Sequence, residues 1–404
     1  MPNPYGDIFK APGAKAFSAA GFVARLPLSM ISLGIVTMLS ETHGEYWLAG
    51  AVAATFAFSN ALIAPQVSRL VDRYGQSRIL IPGTIIAVSA LSGLMLATRY
   101  GTPNWTLFMF AIMAGTMPSM SAFVRARWTQ IYRDTPMLHT AFAFESIADE
   151  IIFITGPIVS IGLSVAVFPE AGPLVATVLL AIGNLLFAAQ RSTEPPIHAQ
   201  DKSGGASVIR LPSMQILVMI LMAIGAIFGT SEVTAVAFAE SQGNKGAAGF
   251  TLAAYAAGSL IAGLAFGALK PKIPLARQLL MTISLAALTT LPLLMVSNIP
   301  TLAVVLFVAG SAVSPTIITS MALVEKLVPS SKLTEGMTWA ITGISIGLAL
   351  GSSASGWIID ELGSTHGFLV SLAAGFMALV ITFLGQATLQ RSTRGMTAAP
   401  VPAE

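Results

Sequence analysis

Charge is what this chain has least of. Asp, Glu, Lys and Arg together make up 10% of its 404 residues, against roughly 25% in soluble domains. So little charge cannot cover a water-facing surface, which argues against a soluble protein built of buried helices. Cysteine is absent, excluding disulfides and thiolate metal sites. His43, His139, His198 and His366 stand far apart, without metal-ligand spacing, so neither metal nor cofactor is expected. The sequence has no phosphate loop, nucleophile elbow or zinc motif, which argues against an enzyme and against direct ATP drive.

What is there is apolar residue, 54% of the total, arranged in long uncharged runs. Residues 46–68, 79–98, 100–124, 171–190, 211–231, 246–269 and 336–359 are examples, and about 20 apolar residues span the hydrocarbon core as a helix. The run 278–324 is about twice that length, with a turn at Ser297-Asn298-Ile299-Pro300. Residues 16–40 and 137–168 form crossings that carry charges, and 366–389 the last. Backbone amides must be paired in lipid, so only helices or a closed barrel can span it. Barrel strands alternate at period two, whereas these runs are apolar throughout. The expectation is an all-α polytopic membrane protein with twelve transmembrane helices in a lipid bilayer.

The basic residues set the orientation. With the N-terminus inside, all of the 21 Lys and Arg except Arg25, Arg99 and Lys245 fall on the inner side. An inner excess of Lys and Arg is a topology signal, so both termini are expected in the cytoplasm and no nucleic acid is expected as partner. Lys10 and Lys15 precede an apolar run, but no small-residue cleavage site follows, so it reads as the first crossing.

The polar segment 191–210, with Pro195-Pro196 and Ser203-Gly204-Gly205, reads as a cytoplasmic linker. It divides the chain into six-helix halves, 1–190 and 211–404. Gly115-Thr116-Met117-Pro118 in the fourth crossing is echoed by Gly310-Ser311 and Ser314-Pro315 in the tenth, and Glu145 by Glu335. Paired six-helix halves are a transporter architecture with the solute held between them.

The loop between the second and third crossings reads Ser68-Arg69-Leu70-Val71-Asp72-Arg73-Tyr74-Gly75-Gln76-Ser77-Arg78. It resembles the signature loop of the major facilitator superfamily: a small residue, an acid four later, a basic residue, glycine and further basic residues. Ser68 stands where the family has glycine, and Gln76 where a basic residue is usual. The resemblance implies that Asp72, Arg73 and Gly75 latch the halves in the outward-open state. The alternative is that Arg69, Arg73 and Arg78 only anchor topology.

Charges inside a membrane are costly and mark functional sites. Counted from their cytoplasmic ends, Arg25 lies about 14 Å deep, and Glu145 and Asp149 about 12 and 18 Å. Glu145 and Asp149 share a helix face, while Glu150 points about 100° away. Arg125 and Arg127 at the end of the fourth crossing add to the cations. Two readings follow. Either Asp149 or Glu145 exchanges the coupling proton with Arg25 as its partner, or the group is a static network tying the helices together. Glu232, about 28 Å beyond Ser213, reads as lying near the outer surface. Gly156-Pro157 resembles the Gly-Pro signature of drug/proton antiporters in the superfamily, and Pro27, Pro118 and Pro315 are expected at bends. Cavity candidates are Ser29, Met30, Thr116, Met117, Met120, Phe228, Ser231, Glu232 and Thr316, a set suited to a moderately apolar solute.

The expected function is proton-coupled export of a small organic molecule across a bacterial inner membrane by a monomeric carrier. Uptake of a sugar, organic acid or other nutrient is the alternative, followed by a transporter-like sensor that moves nothing.

Overall fold

The computed structural model describes residues 4–43, 46–197, 206–244, 247–269 and 273–397. From the expected linker, His198, Lys202 and Ser203-Gly204-Gly205 lie outside the described residues, as do Lys245, Lys270 and Lys272. Every regular element among the described residues is helical. A short turn, α1 (Pro4–Asp7), precedes α2 (Ala14–His43), α3 (Tyr46–Tyr74) and α4 (Gln76–Arg99). Next come α5 (Asn104–Ala114), α6 (Met120–Tyr132), α7 (Pro136–Ala166) and α8 (Ala171–Ala189). After the linker follow α9 (Pro212–Ser241), α10 (Ala247–Leu269), α11 (Leu275–Thr290) and α12 (Ile299–Gly310). The series ends with α13 (Val313–Leu327), α14 (Leu333–Leu362) and α15 (Leu369–Thr397).

Eleven of these stretches are long and apolar enough to cross a bilayer. The remaining expected crossing, residues 100–124, is built from α5 and α6, only 11 and 13 residues long. The chain is interrupted at 115–119, where Pro118 lacks an amide to continue a helix. Backbone left unpaired in lipid must be satisfied locally. Asn60 of α3 does this, its Nδ2 donating to the Gly115 and Met117 carbonyls at 3.0 Å each.

The second part of the chain repeats the device. Between α12 and α13 the helix is interrupted after Gly310, with Pro315 in the first turn that follows. A hydroxyl of α10 reaches this point: Ser259 Oγ lies 2.9 Å from Ser314 Oγ. In both places the bond spans 55 residues of sequence. A polar residue midway along one helix thus steadies the interruption two crossings later.

Two compact units are present, Met1–Thr135 with Ala148–Gly204, and Pro136–Ile147 with Gly205–Glu404. In the first, glycines bring α2 onto its neighbours: a Cβ on Gly183 would lie 2.5 Å from the Ala24 backbone, and one on Gly21 2.4 Å from Val124. Met30, Ile35, Leu91, Leu94, Leu107 and Leu180 belong to its apolar core. In the second unit, α9 and α14 approach through glycines on both sides. A Cβ on Gly225 or Gly229 would meet the Ile344 or Leu348 carbonyl at 2.1 or 2.2 Å, and one on Gly347 the Met222 carbonyl at 1.8 Å. Small residues at helix contacts let backbones pack in lipid, where no hydrophobic force draws helices together.

Glu232 lies within α9, which continues to Ser241. Residues 233–239, Val-Thr-Ala-Val-Ala-Phe-Ala, keep the helix largely apolar beyond the carboxylate, and Glu232 sits about 14 Å from the Ser241 end.

Candidate functional site

Three intramembrane charges converge in the first unit. Polar contacts and a small residue clamp α2 to α7. Ser29 Oγ donates to the Ile152 carbonyl at 2.9 Å, and Ser160 Oγ to the Met30 carbonyl at 2.9 Å. Gly156 lies between them, where a Cβ would stand 1.9 Å from Ser29 Oγ. The helix runs unbroken through Pro157. One turn below this clamp, Arg25 Nη1 donates to Asp149 Oδ1 at 2.7 Å. From α6, Arg125 Nη2 donates to Asp149 Oδ2 at 2.9 Å, and Ser121 Oγ to Oδ1 at 3.3 Å. Each arginine is also held by its own helix, Arg25 Nε on the Gly21 carbonyl at 3.1 Å and Arg125 Nη1 on the Ser121 carbonyl at 3.3 Å.

Asp149 is the pivot of this group. Both arginine side chains are 1% exposed, whereas that of Asp149 is 23% exposed. One carboxylate joins α2, α6 and α7 and serves two guanidiniums through charge-assisted bonds, the stronger class of hydrogen bond. Protonating or displacing it removes at once the charge that both guanidiniums contact. Glu145, one turn earlier on α7, is fully buried, and Glu150 is partly exposed.

Arg127, the other cation near the end of the fourth crossing, does not join this group. Two positions along a helix turn a side chain by about 200°, and Arg127 points to the opposite side. There Nε donates to Gln76 Oε1 at 2.8 Å, Nη1 to the Gln190 carbonyl at 2.7 Å and to Thr193 Oγ1 at 2.9 Å, and Nη2 to the Phe187 carbonyl at 3.1 Å. Its guanidinium also lies 3.8 Å from the Phe187 ring centre, a cation–π contact. Gln76 also donates to the Phe123 carbonyl at 3.2 Å. A basic residue in place of Gln76 would set like charge against Arg127, which accounts for the departure from the usual loop pattern.

Gly75 is the only residue between α3 and α4, with φ 94° and ψ 152°, a conformation essentially reserved for glycine. Next to it, Glu194 from the start of the linker accepts from Ser77 N at 2.9 Å and Ser77 Oγ at 2.6 Å. A carboxylate at a helix N-terminus is favoured by the exposed amides and the helix dipole. Asp72 is half-buried, while Arg73 is exposed and its guanidinium lies over the Tyr74 ring at 5.1 Å. Sequence reasoning missed Glu194 and Asn60. A lone polar residue in an apolar run was the available signal for Asn60.

The remaining candidates are dispersed. Met30, Met117 and Met120 are buried, the first two within the apolar core of the first unit. Glu232 is partly buried on α9 of the second unit. Pro118 and Pro315 flank the two helix interruptions.

Such a bundle of spanning helices, with broken crossings and charges held inside, defines a multi-pass membrane transporter. The chain belongs to the Major Facilitator Superfamily, whose sequence profile matches residues 17–297 and 216–402. No protein of curated function matches it in sequence. Among solved structures it is similar to a bacterial homologue of the iron transporter ferroportin in an outward-facing state, at 15% identity and TM-score 0.70, covering 94% of this chain and 100% of that one. It is also similar to the human organic anion transporter MFSD10 (TETRAN), at 14% identity and TM-score 0.67, over 93% and 99% of the two chains. A third likeness is to the E. coli fucose:proton symporter FucP, at 13% identity and TM-score 0.66, over 91% and 99%. At these identities the likeness is one of fold.

Proposed function

We propose that this secondary transporter couples proton movement to export of a small organic molecule, with Asp149 as the coupling carboxylate. The Arg25–Asp149–Arg125 group carries this reading. A proton arriving at Asp149 removes the charge that two buried guanidiniums share, and buried cations tolerate that poorly. Loading the proton therefore requires α2, α6 or α7 to shift, or another acceptor to enter. Proton occupancy and helix arrangement become linked, which is the requirement for alternating access. Gly156-Pro157 in α7 supports the export direction through its likeness to the antiporter signature. Gly75, Asp72 and Arg73 are proposed to latch the conformation from the α3–α4 joint. The Lys/Arg bias supports cytoplasmic termini in a bacterial-type inner membrane.

A second reading rests on the two guanidiniums gathered at Asp149, a pair suited to an acidic solute. An organic anion entering as the additional acceptor would make the solute an acid, moving with a proton in uptake. The organic anion transporter and the proton symporter with the same fold are compatible with it.

The deciding assay is a panel of labelled organic acids, sugars and lipophilic cations in proteoliposomes under an imposed pH gradient. At least one class is expected to move against its own gradient and to stop when a protonophore is added. A cation or neutral compound driven out against inward protons supports export, whereas an acid moving with protons supports uptake. Binding of a panel member without any flux would leave only a sensor and overturn both readings.

A further inference from the structure

Asp149 is held by two cations, but Glu232, an acid within a membrane-spanning helix of the second unit, has no such company. Glu232 lies on α9, about 30 Å from Pro212 and about 14 Å from Ser241. With a hydrocarbon core of about 30 Å centred on this helix, that position is about 7 Å inside it. Among the described residues no hydrogen bond or ion pair reaches its carboxylate.

Among the described residues, the surroundings offer no counter-charge. Phe228, one turn away on the same stripe of α9, packs its ring 5.8 Å from that of Tyr255 on α10. Tyr255, about 12 Å into α10, is thus the titratable group nearest in depth. Toward the Ser241 end the packed elements bring Glu240, Asp360, Glu361 and His366, all acids except an exposed histidine. α12 carries no titratable side chain. Glu325 and Lys326 close α13, Glu335 opens α14 and Arg391 lies late in α15, all at the Pro212 end. Glu335, for instance, accepts from Val208 N beside the start of α9 at 3.2 Å.

A carboxylate inside the membrane without a cation is costly as an anion and far less so as an acid. Ionisable residues in such segments face the bundle interior or a watery passage nearly always, and Glu232 keeps partial exposure.

We infer that Glu232 is a proton-carrying residue of the transport cycle, a second loading site borne by the second unit. Its carboxylate takes a proton from water on one side as an O–H bond and returns it to water on the other. Each transfer breaks the O–H bond of the proton's donor as it forms that of its acceptor, and no other bond changes. This rests on the proton-coupled reading above and adds to it a second protonation event, distinct from that at Asp149.

Infrared pH-difference spectra of the purified full chain test the chemistry without needing the solute. Between mildly alkaline and mildly acidic buffer, wild type is expected to gain the carbonyl band of a protonated carboxylic acid. Glu232→Gln should lose that component, Glu232→Asp should restore it at a shifted position, and Asp149→Asn should keep it. An unchanged band in Glu232→Gln overturns the inference. A flux arm uses the panel solute that the pH gradient drives. Glu232→Gln is expected to retain solute-for-solute exchange, which moves no net proton and shows that the protein is folded, while losing the part of flux driven by the gradient. Loss of both, or of neither, overturns the role in the cycle. If no solute responds to the gradient in wild type, the proton-coupled reading itself fails, and this one with it.

Discussion

Asp149→Asn is expected to destabilise the folded protein by about 3–5 kcal/mol, because it leaves Arg25 and Arg125 buried without their shared counter-charge. Arg25→Gln and Arg125→Gln each leave Asp149 with one guanidinium, so each should cost only about 1–2 kcal/mol. The asymmetry distinguishes a pivot from a chain of independent pairs. Thermal unfolding in detergent measures it, and Asp149→Asn combined with Arg125→Gln should recover part of the loss, because the pair is coupled. Equal effects of all three single variants would mean that Asp149 is not the shared anion. The interaction is sheltered rather than surface-screened: Asp149 is the most accessible member at 23%.

Gly347→Ala is expected to have the other large effect. Its new Cβ would stand 1.8 Å from the Met222 carbonyl oxygen, and backbone cannot rotate aside as a side chain does. Moving α14 away from α9 would also open the contacts at Gly225, Gly229 and Gly351. The cost should be about 3 kcal/mol or more, seen as failure to accumulate folded protein on size-exclusion chromatography. Gly356→Ala on the same helix is the control. Nothing lies within 4 Å of its Cβ position, and replacing glycine by alanine within a helix stabilises by up to about 1 kcal/mol. Normal yield from Gly347→Ala would show that the two helices are not held at backbone contact.

The spans were legible because lipid demands length and apolarity, and few other constraints produce uncharged runs of that size. Arg25 and Asp149 could be brought to similar depth by counting helical rise alone, since both helices start from the same side. That two arginines would share the acid was not legible, because it depends on how α6 is turned after the interruption at 115–119. Arg125 and Arg127, which composition treats as one cluster, are separated by the turn of about 200° between two positions on α6. Asn60 and Glu194 were missed because each satisfies backbone groups distant in sequence, at 115–117 and at Ser77. Partners of that kind leave no periodic trace.

The coupling of solute movement to protons through Asp149 is tested most directly by recording internal pH in proteoliposomes with a trapped dye. The panel solute that moves is added without any imposed gradient. Wild type is expected to shift the internal pH as solute crosses, and Asp149→Asn to exchange solute with a clearly diminished pH change. A pH change of undiminished size in Asp149→Asn would contradict the account.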